Sequence, residues 1–286
     1  MLVLPKQILA LCQEEHSMPH QLRIAHLYPE QMNIYGDRGN ILALTQRCAW
    51  RGIAFELLPI GARMAVDWQD VDLAFFGGGQ DSGQALIAED FVQRHGPALR
   101  TAIDDGLVLL SICGGYQLLG HYFLTITGEQ LPGVGALDLH TVGGDVRLIG
   151  NIVVEADLGN ETKDERRKAK DEIPSSFVLR PSSFIKLVGF ENHNGRTYLG
   201  AGVRPLGRVL AGHGNNGQDG TEGAIYRNTF GCYMHGSLLP KNPQFADHLI
   251  GLALRRRYGA AATLVALQDD LELVAQRTMV ERILTR

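Results

Sequence analysis

Cysteine is scarce in this chain: four residues in 286, at positions 12, 48, 113 and 232, with no CxxC and no paired spacing. Neither a disulfide framework nor a zinc site follows from that pattern, and it suits a reducing cytosol. Charge of one sign is not in excess either, and a net charge of −4 leaves no electrostatic footprint for nucleic acid. No apolar run approaches the roughly 18 residues of a membrane span. The N-terminal stretch MLVLPKQILALCQEEH is broken by Pro5 and Lys6 and followed by Glu14 and Glu15, so it fits no secretory leader, and Leu before Cys12 fits no lipoprotein site. Nucleotide and metalloprotease signatures are missing as well: no GxxxxGK[ST], no GxGxxG opening a helix and no HExxH. The chain by itself carries no recognisable means of binding ATP or a dinucleotide.

What is present is an alternating α/β pattern, with 45% hydrophobic residues, enough for one large core or two modest ones. Residues 1–22 read as an N-terminal extension, helical or frayed. Arg23–Pro29 reads as a strand, Gly39–Arg51 as an amphipathic helix closed by Gly52, Phe55–Ile60 as a second strand and Leu73–Phe76 as a third, ending in three glycines. Gln84–Asp105 reads as helical, with Pro97 in the first turn of a second helix or at a break, and Leu107–Ile112 as the fourth strand. This order implies a doubly wound, mostly parallel sheet covered on both faces, with function gathered beyond the carboxyl ends of its strands. The second half is richer in strands: Val146–Val154, Lys186–Gly189, Gly207–Ala211, Ala224–Tyr226 and Thr229–Met234. Between the first two, the charged run of residues 157–184 reads as a solvated insertion. Helices are expected over Pro243–Tyr258 and Asp269–Thr285, the latter within a C-terminal tail of residues 259–286 that follows a main domain of residues 23–258.

The segment Gly106–Gly120, GLVLLSICGGYQLLG, carries the strongest chemical signal. An apolar run enters Cys113, two glycines follow, and a helix-like pattern begins. Glycines permit the sharp strand-to-helix turn that lifts a nucleophile out of a sheet, and a thiol at a helix N-terminus is favoured as thiolate. The same residues also fit a buried, inert cysteine. A reactive thiol needs a base, and His235 in FGCYMHGSLLP ends an apolar strand on the same expected rim. His193, in GFENHNGRTY, sits in a turn-like context, where it either caps a loop or lines the pocket. His26, His121, His140 and His213 have no comparable setting. The turn FFGGGQD can point backbone N–H groups at a developing oxyanion. GHGNNGQDGTEG matches neither a phosphate loop nor an EF-hand and reads as a long hairpin loop near the site.

Together SICGGYQLLG, FFGGGQD and YMHG resemble the class I glutamine amidotransferases of the cobyric-acid-synthase-like branch, a flavodoxin-like fold. Within that branch HLYPEQMNIYGDRGNILAL, GFENHNGRTYLG and GNNGQDGTEGAIYRNTFGCYMHGSLLPKNP are similar to the glutaminase subunits of lipid II isoglutaminyl synthases, over about Arg23 to Pro243. The resemblance implies Cys113 as nucleophile and His235 as general acid/base. It implies Arg147 as a contact to the substrate carboxylate, amides of Gly78, Gly79 and Gly114 for the oxyanion, and Gln117 lining the glutamine pocket. It also implies a cytoplasmic heterodimer with a Mur-ligase-like (MurT-like) synthetase that holds ATP and metal, this chain carrying no cofactor. Where many class I members place an acid two residues after the histidine, this chain has Ser237; either a Cys–His dyad suffices or an acid comes from elsewhere in the chain or from the partner, and the expectation is that the partner supplies it. A different acceptor such as a corrinoid carboxylate, a non-catalytic binding subunit, and another cysteine hydrolase on this fold stay open at this point.

Overall fold

The computed structural model describes residues 20–159 and 184–285. Most of the N-terminal extension and of the charged run therefore lies outside the described residues. The first sheet is built from β1 (Gln21–Leu27), β2 (Ala54–Ile60), β3 (Leu73–Phe76), β4 (Val108–Ile112), β11 (Ala224–Tyr226) and β12 (Thr229–Cys232), in the order β11-β12-β4-β3-β1-β2. All neighbours are parallel except the β11–β12 edge pair. The β2-β1-β3-β4 order is that of a flavodoxin-like doubly wound sheet. Every residue of β3 and β4 is buried, so both faces are covered, which is why these strands read as continuous apolar runs rather than alternating ones.

Helix α1 (Arg38–Ala49) follows β1, and α2 (Asp81–Asp90) follows β3. A π turn over Phe91–His95 joins α2 to α3 (Gly96–Asp104), with Pro97 in the first turn of α3. Proline has no N–H to donate and its ring crowds the carbonyl four residues back, so one continuous α-helix cannot run through Gln84–Asp105. The short α4 (Gly114–Leu119) follows β4, α5 (Leu238–Lys241) and α6 (Pro243–Tyr258) follow β12, and α7 (Asp270–Leu284) ends the described chain. Proline at its start and three arginines in its last turn suit both ends of α6. Arg47 of α1, 4% exposed, pairs with Asp247 of α6 at 2.6 Å and with Asp269 at 2.6 Å, fixing α1, α6 and the entry to α7.

The second sheet contains β5 (Tyr122–Leu124), β6 (Gln130–Pro132), β7 (Leu139–Asp157), β8 (Phe184–Leu199), β9 (Gly207–Ala211) and β10 (Thr221–Glu222), in the order β10-β9-β7-β5-β6 with β8 paired to β7. An isolated antiparallel bridge between Phe190 and His235 joins it to the segment just beyond β12. Two expectations are corrected here. Strand β8 is far longer than Lys186–Gly189, and His193 lies within it rather than in a turn. The reason is that the alternate inward positions of β8 are Glu191, His193, Gly195 and Thr197, all buried, so a period-2 strand pattern is written in residues that do not look apolar. The β7–β8 register slips between Gly143 and Leu148, an irregularity of the kind that re-aims a side chain beside a site. Arg147 sits in that break.

Candidate active site

The carboxyl ends of β1, β3, β4 and β12 share one rim, and each delivers one part of the site. After β4 comes Cys113, at φ 48° and ψ −106°, a conformation that costs on the order of 1–3 kcal/mol for a residue with a Cβ. Its surroundings hold it there: the Cys113 N–H donates to the Cys232 carbonyl at 2.8 Å, and the Gln117 N–H donates to the Cys113 carbonyl at 2.9 Å. Cys113 as a whole is 6% exposed. Packing at this turn tolerates no side chain, since a Cβ on Gly114 would lie 2.9 Å from Gln84 Cδ and 3.0 Å from the Gly79 nitrogen.

Just beyond β12 stands His235, fully buried, its main chain fixed by the bridge to Phe190. Its Nδ1 lies 3.3 Å from Asp37 Oδ1, and Asp37, also fully buried, accepts the Gly78 N–H on Oδ2 at 2.7 Å. Nε2 makes no hydrogen bond among the described residues. Burial alone would lower the pKa of this imidazole. Its interactions with the neighbouring Cys113 and Asp37 outweigh burial and raise it to about 10, which favours the imidazolium. The Tyr35 ring meets it edge-on, with centroids 5.0 Å apart.

This geometry corrects two expectations. The acid against His235 comes from this chain, in the loop between β1 and α1, so a partner is not needed to place one. Ser237, at the position where an acid was missing, donates from Oγ to the Gly36 carbonyl at 2.6 Å and so tethers the turn that carries Asp37. Gly78 is the second correction: its N–H is committed to Asp37, which removes it from the oxyanion donors. The amides of Gly79 and Gly114 find no acceptor among the described residues and remain available. Gly78 matters sterically instead, because a Cβ there would lie 2.5 Å from His235 Cε1.

Cys113 opens into a cavity of about 340 Å³, within the size range of small-molecule sites. Gly79, Gln84, Gln117, Arg147, Asn192 and His193 are among its lining residues. Gln117, one turn after the nucleophile, donates to Tyr233 Oη at 3.1 Å. Arg147 donates through Nε to Asn192 Oδ1 at 2.9 Å, and Asn192 donates in turn to Tyr35 Oη at 2.9 Å. The guanidinium therefore stands at the mouth of the cavity, tied to the residue that covers His235. His193 stacks on Tyr233, centroids 3.6 Å apart, with Nδ1 2.8 Å from the Gly195 carbonyl, and burial lowers its pKa so that it stays neutral. It lines the pocket and does not reach the Cys113–His235 pair by any hydrogen bond among the described residues. Asp37, Tyr35 and Asn192 carried no sequence assignment; the glycine-flanked YGDRGN ahead of α1 was the one available signal for Asp37.

A thiol at a strained turn, a buried imidazole–carboxylate pair and free amides beside them can attack a carbonyl carbon, hold the resulting oxyanion and protonate a departing amine. The CobB/CobQ-like glutamine amidotransferase domain matches residues 23–243, most of the chain. The chain belongs to that family. Two relatives of this glutamine amidotransferase are lipid II isoglutaminyl synthase (glutamine-hydrolyzing) subunits GatD. The one from Staphylococcus aureus (strain N315) is 36% identical over 263 residues, covering 92% of this chain and 96% of the relative. The one from Streptococcus pneumoniae (strain ATCC BAA-255 / R6) is 37% identical over 267 residues, covering 92% of each. The cobyric acid synthase of Pelotomaculum thermopropionicum is 31% identical over 178 residues, 59% of this chain and 30% of that protein.

Proposed function

We propose that this glutamine amidotransferase is the glutaminase subunit of a two-subunit enzyme that amidates the D-glutamate of lipid II, working in the cytoplasm. Near-complete, two-way coverage with the two GatD subunits supports the acceptor, whereas the cobyric acid synthase likeness spans under a third of that protein. The observation that carries the chemistry is the strained Cys113 beside a buried His235–Asp37 pair.

In the reaction, glutamine lies with its α-carboxylate on Arg147, whose fork suits bidentate recognition, and its side-chain amide over Cys113. The thiolate attacks the amide carbon, and the oxyanion rests on the Gly79 and Gly114 amides. The C–N bond then breaks as His235, protonated at neutral pH, gives its proton to the departing ammonia, leaving a γ-glutamyl thioester. Water attacks the thioester with His235 as base, releasing glutamate and restoring the thiolate–imidazolium pair. Asp37 fixes the tautomer and orientation of the ring throughout. Gln117, held by Tyr233, lines the wall of the pocket.

Hydrolysis alone would release ammonia to solvent, so the reading includes a Mur-ligase-like partner that activates the D-glutamate carboxyl and receives the ammonia. ATP and its metal belong to that partner. The test is transfer of amide nitrogen-15 from labelled glutamine into lipid II by the chain together with a Mur-ligase-like partner. Label in the D-isoglutamine amide supports the reading; glutamine hydrolysis without label in lipid II, but with label in a corrinoid amide, would reassign the acceptor.

A further inference from the structure

Glu222 is used by nothing in the mechanism above, yet it is fully buried and lies against the site. It ends β10, in GHGNNGQDGTEG, the segment expected to form a long hairpin loop near the site. Its Oε1 accepts the Tyr233 N–H at 2.6 Å, while Oε2 is buried without a hydrogen-bond partner among the described residues. The Tyr233 N–H belongs to the same peptide group as the Cys232 carbonyl, and that carbonyl accepts the Cys113 N–H at 2.8 Å. In a trans peptide the N–H and C=O point in opposite directions, so one rigid unit spans the gap from the Glu222 carboxyl to the main chain of the nucleophile. No cis peptide interrupts it. Hydrogen bonds in such a chain polarise one another. The same segment leads, two residues on, to His235.

We propose that Glu222 is a positioning residue for the thiol nucleophile, acting through the Cys232–Tyr233 peptide that holds Cys113 in its strained turn. This rests on the reading of Cys113 as the nucleophile. The geometry has a chemical corollary. Burial pushes the Glu222 carboxyl up to about 8, aided by the nearby Glu191 carboxylate and opposed by the Tyr233 and Gly223 N–H groups and by His235. The ionisable groups facing it are Glu191 from β8, His235 and Cys232 from the β12 segment, and Tyr116 from α4. His235 titrates at about 10, and burial drives the Cys232 thiol and the Tyr116 phenol well above their ordinary values. Glu222 is therefore the group in this cluster that changes charge near pH 8. Its carboxylate accepts the Tyr233 N–H more strongly than its neutral acid does.

The experiment measures iodoacetamide alkylation of Cys113 by peptide mass mapping from pH 6 to 10 in the parent, Glu222→Gln and Glu222→Leu, alongside kcat and KM for glutamine. Glutamine keeps the acceptor and removes the ionisation; leucine removes both. The Leu variant is expected to react about tenfold more slowly, the scale of one lost hydrogen bond, with kcat reduced and KM unchanged. The Gln variant should match the parent below pH 8 and lack the parent's inflection near pH 8. A merely structural residue would lower the melting temperature and leave the pH profile alone. If Leu does not fold, the Gln profile decides: a profile superimposable on the parent's overturns the proposal. A folded Leu variant that reacts like the parent does the same. A parent whose Cys113 does not react at all would overturn the reading of the site, and this proposal with it.

Discussion

Replacing Asp37 with asparagine changes one atom in a site where both carboxylate oxygens are engaged, one with the Gly78 N–H at 2.7 Å and one with His235 Nδ1 at 3.3 Å. The amide must still offer an oxygen to Gly78, which turns its NH₂ toward Nδ1. The imidazole then carries its proton on Nε2, the nitrogen that has to exchange a proton with the thiol and the leaving ammonia. Loss of the charge adds a second effect. The rise of His235 from 6.5 to about 10 is on the order of 5 kcal/mol of preference for the imidazolium, after burial has opposed it, and Cys113 and Asp37 share it. Removing one close opposite charge typically lowers such a value by about one to three units. Asp37→Asn is thus expected to reduce kcat by about 100- to 10,000-fold, the upper figure being the cost of the wrong tautomer where the acid–imidazole bond is shorter. It should also move the alkaline limb of Cys113 alkylation from near pH 10 toward neutrality. The sign for stability follows from the same shift. A histidine whose folded pKa is raised contributes its stabilisation fully below pH 6.5 and loses it as pH climbs through about 10. The parent's melting temperature should therefore fall across that window more steeply than the variant's. A variant within threefold of the parent in kcat, with an unshifted alkylation profile, would refute the orienting role of Asp37.

Gly78→Ala places a methyl 2.5 Å from His235 Cε1 and 3.1 Å from Asp37 Oδ2, so the pair must separate. A kcat loss of about 100-fold is expected with a stability cost of about 1–3 kcal/mol, read by steady-state kinetics and thermal melting. Arg147→Ala removes the guanidinium at the cavity mouth, and KM for glutamine should rise about tenfold or more while Cys113 alkylation by a neutral reagent stays at the parent rate. An unchanged KM would detach Arg147 from the substrate carboxylate.

The parts of the molecule that were legible in the sequence are those where burial and residue type agree. Strands β3, β4 and β12 are short, fully buried runs ended by glycine or by a change of pattern, and Cys113 and His235 stand out because each follows one of them. Strand β8 hid because its inward face is made of Glu191, His193, Gly195 and Thr197, stabilised by hydrogen bonds and stacking instead of by aliphatic packing. Asp37 hid for a different reason. It lies 198 residues from His235 along the chain, and its meeting with the histidine depends on two loops converging over parallel strands, which no local spacing encodes. Gly78 was assigned the wrong task because a glycine-rich turn announces free N–H groups without showing which of them the fold has already engaged.

The central claim is that Cys113, with His235 and Asp37, hydrolyses the side-chain amide of glutamine. Glutamate release from L-glutamine by the purified chain, alone and with a Mur-ligase-like partner, tests it with Cys113→Ala as the control. The expected result is release by the parent, stimulated by the partner, and none by Cys113→Ala in either setting. Glutamate released equally well by Cys113→Ala, or by neither protein in either setting, would contradict it.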